Sequence, residues 1–168
     1  MASIVVLFVL MAPALAYGHD ANDGKRYKEA LAKAIRTSDR IVVTEHSDRF
    51  DFPMPEVNRK DLPQFEYGRV ELSESAKAKF LKDVEAMDAK TQDIFPDCIF
   101  VPHHTIKFYS GSTLKSTMDI CFHCHEIEWD GSKDIRSKGL WSAITPLIKD
   151  AGFHAERDWA ALVKERRK

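Results

Sequence analysis

A chain of 168 residues, 44% hydrophobic and 30% charged, is long enough to bury one sizeable core and short for two domains. Its formal net charge of -1 excludes the strong basic field that nucleic acid or an anionic membrane surface selects for, so neither is expected as a partner. The basic run from Lys164 to Lys168 reads as a solvated C-terminus.

The N-terminus has an apolar run from Ile4 to Leu10 followed by Ala12, Ala14 and Ala16. This predicts a signal peptide over residues 1–16 and leaves 17–168 as a single α+β domain. The run is well short of the roughly 20 apolar residues that span a bilayer. The mature chain is therefore expected to lack a stable membrane anchor and to be exported, periplasmic or extracellular. The segment departs from the usual pattern in having no Lys or Arg ahead of its apolar run.

Tyr27, Ala30, Leu31, Ala34 and Ile35 recur at i, i+3, i+4, i+7 and i+8, the buried stripe of an amphipathic helix. Arg40 to Glu45 is a β-branched run and reads as a strand. From His46 to Pro63 three prolines among charges predict a long polar loop. Gln64 to Leu72 reads as a second strand, and Ser73 caps a helix to about Lys90 with Ala76, Phe80, Leu81, Val84 and Met87 inward. Two strand-like runs flank Ser110-Gly111-Ser112, a hairpin signal. Leu140 to Asp150, interrupted or restarted at Pro146 and closed by Gly152, and Asp158 to Arg167 read as helices. The order predicts an α+β fold, an antiparallel sheet of about four strands with helices on one face.

A hairpin centred near Ser112 puts His104, Ile106 and Phe108 on one face with Met118 and Ile120. His103, Thr105 and Lys107 then share the other face with Cys121, Asp119 and Thr117. Beyond Phe122 the apolar residues switch from even to odd positions at Ile127 and Trp129, so a bulge or kink is expected within residues 121–126. The register gathers Cys98, His103, Cys121 and Cys124 at one hairpin end, with His125 beside them.

Several chemistries fit that cluster. A structural Zn²⁺ site needs about four thiolate or imidazole ligands, and Cys98, His103 (or His104), Cys121 and Cys124 meet the count. Cys121-x-x-Cys124-His125 also matches the attachment pattern of c-type haem, with His125 as axial ligand, the signature of a small electron-transfer protein. A redox-active CxxC is expected at a helix N-terminus, and this one follows a strand. The plainest alternative is a disulfide from Cys98 to Cys121 or Cys124, with the remaining thiol buried.

Cys98, Pro102-His103-His104, Ile106, Phe108 and Ile120-Cys121-Phe122-x-Cys124 together resemble a family of small, uncharacterised exported bacterial proteins. The helix beginning at Leu72 and the terminal helices share the likeness. The resemblance implies that Cys98, Cys121, Cys124 and a Pro-adjacent His are the constant unit, and that His125 is incidental.

No complete catalytic set is evident, which leans away from an enzyme. Cys121 with His103 as base lacks a third orienting group. Glu45, His46, Asp48 and Asp51 form a possible metal or acid-base set, for which a polar loop is the simpler account.

Overall fold

The computed structural model describes residues 20–53, 62–94 and 96–168. The signal-peptide reading at 1–16 and the middle of the proline-bearing loop, 54–61, lie outside the described residues. Helix α1 (Asp23–Thr37) precedes β1 (Arg40–His46) and β2 (Glu66–Glu71). Helix α2 (Glu74–Ala86) precedes β3 (His104–Ser110), β4 (Thr113–Cys121) and β5 (Glu126–Trp129). Helices α3 (Leu140–Asp150) and α4 (Trp159–Arg166) close the order.

The strands form one antiparallel sheet in the order β2-β1-β3-β4-β5, an α+β architecture. Alternation decides its two faces. Ile41 and Val43 of β1, Ile106 and Phe108 of β3, Met118 and Ile120 of β4, and Ile127 and Trp129 of β5 enter one core with Tyr27, Leu31 and Ile35 of α1, Phe80 and Val84 of α2, and Leu140, Ile144 and Ile148 of α3. Each fully buried side chain of this size contributes about 1.5–3 kcal/mol before entropy is counted.

The β3–β4 register places His104 opposite Ile120 and Ile106 opposite Met118, as the pairing about Ser112 requires. Gly111 has φ 59 and occupies the first central position of the two-residue turn, where a type II′ hairpin needs a positive φ.

Helix α2 ends earlier than its apolar stripe suggests, with Met87 as C-cap. The reason is tertiary: Met87 O accepts from Lys28 Nζ at 2.9 Å, and Asp88 O accepts from Gly139 N–H at 3.2 Å and from the Ser137 hydroxyl. A Cβ on Gly139 would meet Asp88 N at 2.5 Å, so only glycine permits this approach. Helix α3 runs through Pro146 without interruption, because the carbonyl left without its N–H partner belongs to exposed Ser142.

Candidate functional site

The chain reverses between β4 and β5 in a four-residue turn, Phe122 to His125. His125 N–H donates to Phe122 O at 3.1 Å, and His125 takes φ 50, a left-handed conformation that histidine adopts more readily than most residues. The switch of apolar phase is therefore a hairpin rather than a bulge or kink within one strand.

Cys121, the last residue of β4, is fully buried as a free thiol. Cys124, in the turn, is buried and bonded to Cys98, with a Cα–Cα separation of 5.9 Å. Cys98 itself is exposed, in an irregular strap of residues 96–102 that leads into β3. Cys124 N–H donates to Cys121 Sγ at 3.4 Å, which collects all three sulfurs at one turn.

His103 holds its expected backbone position: its N–H donates to Ile120 O at 3.2 Å, and its carbonyl accepts from His46 N–H at 2.9 Å. Its ring belongs to another set. Nε2 lies 2.9 and 3.1 Å from the two carboxylate oxygens of Asp51, and the ring stacks on Trp159 of α4, with centroids 4.1 Å apart and planes within 5°. His125 is exposed and edge-on to Trp141 at 5.3 Å. Among the described residues no three His, Cys, Asp or Glu side chains form a group arranged to hold a metal. Cys98, His103, Cys121 and Cys124 share an end of the sheet without converging as four ligands.

The polar residues at the end of β1 and just beyond it, for which the sequence makes a polar loop the simpler account, are instead largely interior. Glu45, His46 and Asp51 are all buried, because β1 continues through His46 and a short 3₁₀ turn, Arg49–Asp51, packs against α4 and sets Asp51 on the His103 ring. On the face away from α1 to α3, the Thr105 hydroxyl donates to Asp119 Oδ1 at 2.6 Å. That commits its one proton, so at 2.8 Å it accepts from His46 Nε2–H. His46 Nδ1 lies 2.9 Å from Gln64 Nε2 and 3.0 Å from the Ser47 carbonyl oxygen; in the neutral ring it carries the lone pair and accepts from Gln64, and in the protonated ring it donates to Ser47 O. Burial pulls the His46 pKa below its ordinary value, against the backbone of Ser47 and the Asp119 carboxylate, which pull it up.

On the core face, Glu45 Oε2 accepts from Arg157 Nη1 at 2.6 Å, and Oε1 accepts from His154 N–H at 3.3 Å. His104, paired with Glu45 across β1 and β3, is completely buried, with Nε2 3.7 Å from Glu45 Oε1. Neither of its ring nitrogens makes a well-formed hydrogen bond among the described residues, and the His154 backbone beside it only partly offsets its burial. The edges of Phe122 and Trp159 enclose it at 5.2 and 5.9 Å. Burial first, then the neighbouring His46 and His103, push its pKa down to about 3, so the imidazole is neutral at pH 7.

This buried His and carboxylate cluster is the part that local pattern missed. The available signal was phase: Glu45 and His46 continue the alternation of β1, one residue to each face. Among the described residues no helix is long and apolar enough to cross a membrane. No family model, curated protein or solved structure matches the chain.

Proposed function

We propose that this is an exported protein whose cysteine cluster acts as a structural disulfide site, pinning the 96–102 strap onto the β4–β5 turn. The observation that carries this reading is the Cys98–Cys124 pair at a Cα–Cα separation of 5.9 Å, with Cys121 left as a buried thiol. That separation lies in the range disulfides require, and such bonds persist in oxidising compartments. The staple holds Pro102 and His103 at the start of β3, beside the Asp51 and Trp159 side chains that His103 engages.

Thiol counting on unfolded protein matured in an oxidising compartment tests the reading. One thiol without reductant and three with it is the expected result. Three thiols without reductant in metal-free protein would sink it. A Soret band resistant to acid-acetone extraction would instead establish the c-type haem alternative, which needs Cys121 and Cys124 together and hence an open Cys98–Cys124 bond.

A second reading applies to the reduced chain. With the bond opened, Cys98, Cys121 and Cys124 present three thiols at one turn, a soft set suited to Zn²⁺, and His103 would complete it only by leaving Asp51. The contact from Cys124 N–H to Cys121 Sγ favours it by keeping the third sulfur at the same turn. One equivalent of zinc retained by reduced protein after desalting, and lost in Cys121→Ser, is its expected signature.

A further inference from the structure

Resting on the staple reading, we propose that the disulfide is exchangeable inside the fold: Cys121 is a resident nucleophile that moves the bond from Cys98–Cys124 to Cys121–Cys124 and so releases the strap. The step is balanced. The Cys121 thiolate attacks Cys124 Sγ, and the Cys121–Cys124 bond forms as the Cys98–Cys124 bond breaks. The electron pair leaves on Cys98 Sγ, which takes up the proton that Cys121 gave up. Both isomers have the same oxidation state, so no oxidant or reductant is consumed.

Three placements support the exchange. The first is proximity: Cys121 and Cys124 bracket the start of one tight turn, and the Cys124 N–H on Cys121 Sγ at 3.4 Å holds the nucleophile against the residue that carries the electrophilic sulfur. The second is the contrast in environment. Cys121 and Cys124 are buried while Cys98 is exposed, so the leaving thiolate is the one that water solvates, and a better-solvated thiolate is the better leaving group.

The third is what Cys98 holds. The strap, residues 96–102, runs up to His103, whose N–H donates to Ile120 O at 3.2 Å. Ahead of that point the disulfide ties the strap covalently to the β4–β5 turn. Next to Cys98, Ile99 is 68% exposed, so the released strap presents a thiol beside an apolar side chain. The device is thus a switch between a pinned strap and a free one that displays Cys98.

Labelling native protein tests it. Wild type, Cys121→Ala and Cys121→Ser, matured under oxidising conditions, are held at about pH 8 with iodoacetamide and no reductant. Each is then quenched in acid and its disulfides mapped by peptide mass spectrometry. Expected are alkylated Cys98 and a Cys121–Cys124 bond in wild type, with Cys98 labelling at least ~10-fold slower in both variants, because they lack the attacking thiol. Rapid labelling of Cys98 in all three proteins would overturn the staple reading itself. An intact Cys98–Cys124 bond in wild type, with label on Cys121 alone or on no cysteine, would overturn the exchange and leave the staple standing. If neither variant folds, wild type decides when a sample quenched in acid before the incubation is mapped as well: Cys98–Cys124 at the start and Cys121–Cys124 with alkylated Cys98 afterwards is exchange, whereas Cys121–Cys124 from the start overturns the staple reading.

Discussion

Arg157 closes over Glu45 from 112 residues away, its Nη1 2.6 Å from a carboxylate oxygen on a side chain only 3% exposed. A buried carboxylate stripped of its partner is expensive, because its solvation has been lost and nothing replaces it. Arg157→Ala is expected to cost about 3 kcal/mol of stability, read as a lower urea midpoint at pH 7. Glu45→Gln in the same chain should recover part of that loss. If the single and double variants unfold at the same urea concentration, the carboxylate is not what Arg157 compensates.

His104 and His46 make the fold sensitive to acid. An unfolded histidine titrates at about 6.5, whereas folded His104 titrates at about 3 and His46 below its usual value. Between the folded and unfolded values the unfolded chain binds more protons, so stability rises with pH in that window. The contribution is complete above about pH 6.5 and is lost as the pH falls toward the folded values, by up to about 1.4 kcal/mol per pH unit for each histidine. His104→Phe, which keeps a flat ring among Phe122 and Trp159, should flatten the dependence of the urea midpoint on pH below 6.5. Identical slopes for wild type and variant would show that His104 titrates normally.

These interior charges also mark the limit of what was legible in the sequence. The β3–β4 register was readable because strict alternation and Gly111 act locally: Ile106 and Met118 could share the core face in only one phase. The five-strand sheet was nearly so, and β5 was hidden because Phe122 and His123 are not typical turn formers. Glu45 and His46 look like loop residues because the groups that make their burial tolerable, Arg157 and Thr105, lie 112 and 59 residues away. Likewise Asp51, not backbone register, decides where the ring of His103 points. Nothing in the neighbourhood of either histidine announces that partner.

Thr105 is the link through which His46 and Asp119 meet. Thr105→Val keeps the shape and removes the hydroxyl, leaving His46 Nε2–H and Asp119 Oδ1 without the partner they share. Buried groups left unmade cost about 1–3 kcal/mol, so a loss of about 2 kcal/mol is expected. Nitrogen NMR of labelled histidine offers a readout independent of stability: in wild type the His46 proton sits on Nε2, and in the variant that tautomer preference should weaken. A threonine whose removal changes neither quantity does not connect the two residues.

The staple makes a prediction that separates Cys98, the exposed partner in the bond, from Cys121, the buried free thiol. The Cys98–Cys124 bond closes a loop with a sequence separation of 26, which in the chain-entropy model corresponds to about 3.5 kcal/mol. Cys98→Ser changes an exposed side chain, so nearly all its cost should come from the lost crosslink, and the variant should unfold where fully reduced wild type unfolds. Cys121→Ala instead removes one sulfur from a fully buried position and leaves the bond intact. Its cost should be that of a small cavity, about 1 kcal/mol, and reductant should lower its stability as much as it lowers wild type. If reductant leaves the urea midpoint of wild type unchanged, the bond holds nothing that the folded strap does not already hold by packing.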